Sequence, residues 1–331
     1  MNIRFQSRQC LIAAASLLSA LLAMPQSAMA QAYPARPVKI IIPFPPGGVT
    51  DLIGRLLAQK LGSDWGQTVV VENRAGASGM IGADAVAKAP PDGYTLLLSS
   101  TAEVAINQNL YKKITYDPAK DLLPITLTAT TPIIFVAHPA AGINTLEQLT
   151  KVARKNPGLI TYASAGSGGV QHMAGALLAT KLKLDLAHIP YRGGSPAVAD
   201  VLAGHVKTSF SSAPLVVQYI SDKRLIPLAV TSSERMPSLP DVPTVNESLS
   251  MTGFEILNWY GIFAPKGTPA NILEKINKDM VAVLRTPEIR KHISEAGADP
   301  VGNSREDFEK FWHAEMKKYA QIIKDSGAKV D

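Results

Sequence analysis

The chain has 331 residues, 33 of them basic and 27 acidic, for a formal charge of +6, with 6% aromatics and a single cysteine. The modest basic excess is scattered rather than interleaved with aromatics, which argues against a nucleic-acid surface and leaves no nucleic-acid partner expected. One cysteine allows no internal disulfide, so core burial alone must stabilise a chain long enough for one large or two medium cores.

Residues 1–30 carry Arg4 and Arg8 and no acid, then an apolar run over 11–24, then Ala28 and Ala30 in a small-x-small arrangement. This is the pattern of a cleaved secretory signal, and the run is shorter than the roughly 20 residues a spanning helix needs. Cleavage is predicted after Ala30. The new N-terminus is then Gln31 rather than the cysteine of a lipoprotein, and Cys10, Arg4 and Arg8 leave with the leader, taking the formal charge from +6 to +4. The expected product is a soluble, thiol-free exported protein.

Strand and helix patterns then alternate. A β-rich run at 38–43 precedes helical spacing over 50–61, where Leu52, Ile53, Leu56, Leu57 and Leu61 share a face. A strand is predicted at 68–71, a short helix at 82–89 and a strand at 94–98. The rhythm resumes with a helix at 146–154, a strand at 160–164, a helix at 170–181, a strand at 186–189 and a helix at 196–203. Such alternation predicts an α/β protein with parallel sheets flanked by helices. Two extended segments break it, LPITLTATTPIIFVAH at 123–138 and NWYGIFAP at 258–265, too far apart for a hairpin. They are predicted to be the strands of a hinge. One lobe then comprises residues 31–132 plus 258–331 and the other residues 133–257, each near the common domain size. Near the C-terminus, Phe308, Phe311, Met316, Tyr319 and Ile322 or Ile323 form a packing stripe on a helix over 305–324.

Three loops are rich in glycine. In PFPPGGVTD (43–51), Gly47 and Gly48 allow close approach of the backbone, and the helix starting near Asp51 aims free amides and its positive dipole end at one point, which suits an anion. The same loop also reads as a plain turn with Asp51 as helix cap. A second loop, AGSGG (165–169), repeats the construction before a helix whose first turn holds Gln171 and His172, with Ser164 and Ser167 nearby. A third, PYRGGS (190–195), echoes the first. Loops on both predicted lobes place the ends of one small ligand in the cleft between them.

Enzyme motifs fit poorly. No GxGxxG, no GK followed by Ser or Thr, and no GxSxG is present. His138, His172, His188, His205, His292 and His313 show neither HExxH nor close acidic partners, so no metal and no cofactor are expected. His172, five residues after Ser167, is the one candidate base for a secreted hydrolase, although such a histidine more often caps or packs beside its loop.

From YPARPVKIIIPFPPGGVTD through GQTVVVENRAGASGMIGADAVAKAPPDGYTLLL, YASAGSGGVQH and HIPYRGGSPAVADVLAGHV to WYGIFAPKGTP, everything after the leader resembles the Bug or TctC-type receptors of tripartite tricarboxylate transporters. The resemblance implies a two-lobed periplasmic binding protein of the Venus-flytrap type with a two-stranded hinge, and no enzymatic activity. It implies that a small organic carboxylate is held mainly by backbone amides, hydroxyls and waters. By position that carries to Phe44, Gly47, Gly48 and Asp51, and to Ala165, Gly166, Ser167 and Gly168, with His172 beside them. Ser99, Ser100 and Thr131, at strand ends facing the predicted cleft, and Tyr191, Arg192 and Gly193 are weaker candidates. Ala75 and Ser78 stand where the family usually has Pro and Gly. The partners implied are the membrane subunits of such a transporter or, alternatively, a sensor ectodomain. A monomer that closes by hinge motion on binding is expected, with filling of Gly48 or Gly168 more harmful than loss of Arg192.

Overall fold

The computed structural model describes residues 33–330; the predicted leader and its cleavage site lie outside the described residues. Strand β1 (Val38–Ile42) pairs in parallel with β2 (Val69–Asn73) and β3 (Thr95–Ser100). Further along, β5 (Thr161–Ser164) pairs in parallel with β6 (Ala187–Pro190) and β7 (Thr208–Ser212). The expected parallel sheets are therefore present, but the whole is mixed. Strand β9 (Leu257–Pro265) runs antiparallel to both β3 and β4 (Leu122–Ala137).

The long strand β4 joins the two halves of this α/β fold. Its first part lies against β9, from Leu122 opposite Pro265 to Pro132 opposite Leu257. From Ile133 onward it lies between β7 and β8 (Ile226–Val230), with Ile134 opposite both Ser211 and Val230. A strand with partners on both edges and helices on its faces is buried nearly throughout, which explains the unbroken apolar run in place of alternation. Two packed lobes result, sharing β4.

Helix α1 (Val49–Trp65) follows β1 and ends at Gly66, whose φ of 61° closes it in the left-handed conformation. Helix α2 (Met80–Ala87) leads to β3. In the other half, α3 (Leu146–Lys155) starts on a Thr145 side chain that accepts the Gln148 amide, and α4 (Val170–Leu182), α5 (Gly194–Leu202) and α6 (Ala213–Ser221) flank β5 to β8. After β9 come α7 (Ala270–Leu284), α8 (Pro287–Glu295), the two-residue β10 (Asp299–Pro300) and α9 (Arg305–Ser326).

Helix α9 packs aromatic side chains on β9. The Phe308 ring lies 5.2 Å and the Trp312 ring 4.9 Å from Phe263. Gly261 makes the room: a Cβ there would stand 2.2 Å from Phe308 Cζ. Buried Glu315 accepts the Trp259 indole N–H at 2.9 Å and pairs with Lys318, while burial pushes its pKa upward. Trp312 and Glu315 thus occupy the inward face, and Phe311 and Met316 of the predicted stripe are only half-buried.

Candidate functional site

The two loops GGVTD and GGVQH fold alike. In each, the first glycine has positive φ, +95° at Gly47 and +81° at Gly168, and the second is the helix N-cap in extended conformation, Gly48 at φ −86° and Gly169 at φ −73°. In each, the amide of the first glycine donates to the side chain four residues on: Gly47 N–H to Asp51 Oδ2 at 3.1 Å, and Gly168 N–H to His172 Nδ1 at 3.1 Å. A left-handed glycine followed by an extended one turns the chain sharply from strand into helix start. The structural counterpart of Gly168 is therefore Gly47, not Gly48, which any residue's φ would suit.

A cavity of about 230 Å³ lies where these elements meet. Phe44, from the end of β1, and Ser100, at the end of β3, form one side; Ala165, Gly166, Ser167 and Gly168 form another. These six are the sequence candidates that the fold brings together. Ser78, Ala102, Gly169, Val170, Gln171 and Asn258 complete the wall, and sequence reasoning had not placed them there. Asn258 carried a signal, being a polar residue in an otherwise apolar strand. Gln171 carried one in its place in the first turn of α4.

None of these residues is charged, so an anion here meets dipoles only. The amides of Gly166, Gly168 and Gly169 are turned into the loop, toward Ser164 Oγ, His172 Nδ1 and the Gly166 carbonyl. The expected amide cradle narrows accordingly to the start of α4, where Val170 and Gln171 have no intrahelical acceptor by the geometry of a helix N-terminus. Gln171 Nε2 donates to Ser212 Oγ at 3.0 Å, Asn258 Nδ2 to the Tyr260 hydroxyl at 3.0 Å, and Ser78 Oγ shares a hydrogen with the Tyr111 hydroxyl at 2.8 Å. Ser78 has φ +52°, a left-handed conformation costly for a serine.

The other candidates stand outside this wall. Asp51 is buried and its carboxylate is filled by Gly47 N–H, Arg55 Nε at 2.9 Å and Asn73 Nδ2 at 3.0 Å, with the Arg55 bond foremost in holding its pKa below the usual range. It shapes the loop. Ser99 and Ser100 are neighbours on a strand and point to opposite faces, so only Ser100 reaches the cavity; the Ser99 hydroxyl donates to the Ser100 carbonyl. Thr131 is fully buried, at a β4 position paired with Asn258. Tyr191 donates to Asp200, the Gly193 amide braces the second loop through the Ala165 carbonyl at 3.0 Å, and Arg192 is exposed.

His172 is no base for Ser167. Its Nδ1 is taken by the Gly168 amide, its ring stacks on His188 at 3.9 Å, and burial lowers its pKa to about 4. His188 is lowered likewise to about 4 by burial and by His172, and its Nε2 lies 2.6 Å from the fully buried Ser164 Oγ. The two neutral rings brace the loop from behind.

Residues 53–328 match the model of the tripartite tricarboxylate transporter family receptor. The chain is 41% identical over 292 residues, 88% of its length and 87% of the other's, to a protein encoded in the tcbD–tcbE intergenic region of Pseudomonas sp. strain P51. A Rhodopseudomonas palustris protein solved with adipate is 31% identical, with a TM-score of 0.80 over 90% of this chain and 100% of that one. MatC from the same organism, solved with malate bound, is 28% identical, with a TM-score of 0.76 over 88% of this chain and 100% of that one.

Proposed function

Since the chain belongs to the tripartite tricarboxylate transporter receptor family, we propose that it captures a small organic carboxylate in the periplasm and delivers it to the membrane subunits of such a transporter. The single observation that carries the ligand class is the cavity wall. Uncharged donors at the start of α4, with Ser100, Ser167, Gln171 and Asn258, surround a space of about 230 Å³, suited to a compact acid rather than a cofactor. The adipate and malate bound by the two structural relatives support the same class.

The division into lobes of residues 31–132 plus 258–331 and 133–257 accords with β4, whose register passes from β9 to β7 and β8 between Pro132 and Ile133. Closure is then a hinge motion about β4 and β9, with Phe44 on one jaw and the 165–169 loop on the other. Cleavage after Ala30 and a monomeric state complete the proposal. Thermal-shift screening of the exported protein against mono-, di- and tricarboxylates tests it, because an acid at a hundred times its Kd adds about 2.7 kcal/mol. A panel in which no acid raises the melting temperature refutes the ligand class.

A further inference from the structure

Behind the cavity wall lies a carboxyl group that the binding scheme above does not use. Glu103 sits in a π-helical turn, Ala102–Ile106, directly after β3, and is fully buried. Its Oε1 accepts the Ser100 amide at 2.6 Å and its Oε2 accepts the Ser100 hydroxyl at 2.8 Å. Its carboxyl also packs against Gly79, where a Cβ would stand 3.2 Å from it, next to Ser78. The cavity-lining Ser100 is thus backed by a carboxyl group through both its amide and its hydroxyl.

We propose that Glu103 sets the hydrogen-bond polarity of the cavity through Ser100, so that an anionic carboxylate is captured together with one proton held on Glu103. The inference rests on the carboxylate-receptor reading above. When Glu103 is ionised, the Ser100 O–H is drawn inward and only lone pairs of its oxygen face the ligand, which oppose a carboxylate. When Glu103 is protonated, its own O–H donates to Ser100 Oγ, and the serine hydrogen is free to donate to the ligand. The heavy atoms need not move, because the second hydrogen bond merely reverses direction while the Ser100 amide keeps its acceptor. Ligand charge and Glu103 charge therefore oppose one another across one serine.

The surroundings favour this exchange in the neutral range. Burial pushes the Glu103 pKa up to about 7, against hydrogen bonds from the Ser100 amide, its own amide and the Ser100 hydroxyl that lower it, and no Lys, Arg or His is among the groups acting on it. The Tyr116 hydroxyl donates to the Glu103 carbonyl at 2.6 Å, and Tyr116 and Tyr260 are the titratable groups coupled to the carboxylate, both raised well above neutrality. Asp84 of α2 acts on Tyr116 as well, and Glu315 of α9 is paired with Lys318. His172 and His188, lowered to about 4, do not titrate above pH 6.

Calorimetry of the exported protein with adipate and malate, in buffers of different ionisation enthalpy between pH 6.5 and 9, reads the proton directly. Wild type is expected to take up close to one proton per acid bound at pH 8 and above and markedly less at pH 6.5, with affinity falling about tenfold from pH 8 to 9. Glu103→Gln retains an acceptor for the Ser100 amide and donates permanently to Ser100 Oγ; it is expected to bind without proton uptake, with affinity independent of pH. Ser100→Ala serves if that variant does not fold, and is expected to bind more weakly at pH 6.5 with a flattened pH slope. Wild-type binding without proton uptake at pH 8, or a pH slope retained in these variants, overturns the role of Glu103 and leaves the receptor reading standing. Failure of both acids, and of succinate and benzoate, to bind wild type at any of these pH values overturns the receptor reading and this inference with it.

Discussion

Gly47→Ala and Gly48→Ala separate backbone conformation from space at the first loop. A Cβ at either position meets no atom within 4 Å, so neither substitution creates a clash. They differ in φ. Gly47 at +95° must hold an L-residue in a region that costs roughly 1–2 kcal/mol, whereas Gly48 at −86° is extended and unstrained. At Gly48, alanine is a poorer N-cap than glycine by roughly 0.5–1 kcal/mol. It also restricts the unfolded chain, which offsets that by about 0.4–1 kcal/mol.

Urea unfolding monitored by circular dichroism is therefore expected to show Gly47→Ala less stable by about 1–2 kcal/mol, with Gly48→Ala within about 0.5 kcal/mol of wild type. If the loop relaxes in the free protein and binding restores it, affinity for the acid identified by thermal shift falls about five- to thirtyfold for Gly47→Ala alone. The reasoning fails if Gly48→Ala is the more damaging of the two in either measurement. That result would mean that the ligand needs the space beside Gly48, as the sequence had suggested.

At the second loop, Gly168→Ala is expected to be worse than Gly47→Ala in the same assays, since its Cβ also comes within 2.8 Å of Leu110 Cδ1. Asp51→Asn is expected to lower stability by about 1–3 kcal/mol in urea and to weaken binding, because the amide cannot accept from Gly47, Arg55 and Asn73 together. Arg192→Ala, an exposed position outside the cavity wall, is expected to change calorimetric affinity less than threefold, which is below about 0.7 kcal/mol. The folded-state pKa values of His172 and His188, about 4, lie below the unfolded value of about 6.5, so the unfolded chain binds more protons between them. Their contribution is present above pH 6.5 and is lost as pH falls toward 4; a urea midpoint that falls no more steeply in wild type than in His188→Gln over that range would remove them as the cause.

Much of the fold was legible because apolar spacing reports burial. Helices α1, α3, α4 and α9 and the long strand β4 all began within two residues of their predicted starts. Strand β7 was not legible. Its sequence, TSFSS, places Thr208, Ser209 and Ser211 in the interior, with their hydroxyls satisfied by the Thr161 and Ala163 carbonyls and by one another, so polarity no longer marks the surface. The π-helical turn at Ala102–Ile106 was hidden for a different reason: its bonds run to the fifth residue, a spacing that helical periodicity does not test. Glu103 sits in that turn, which is why the carboxyl group bonded to the wall serine Ser100 carried no signal.

The site itself divides along similar lines. A Gly-Gly pair announces that the backbone needs freedom but not which glycine uses it, since φ is decided by what the loop amides find to bond. Asp51 and His172 decide it here, one a carboxylate and one a ring nitrogen, each four residues beyond the left-handed glycine and two beyond a Gly-Gly-Val run. The same backbone is thus held by two acceptors of different chemistry, and in both cases the acceptor is spent on the loop. Side chains that look like ligand groups in sequence act as scaffold, and the donors left for a carboxylate are the plainest ones: the first-turn amides of α4, Gln171, Asn258 and the wall serines. A wall built this way has no fixed positive charge to hold an anion. Its preference for a carboxylate must then come from the orientation of a few hydrogens, and at Ser100 that orientation depends on the protonation of Glu103.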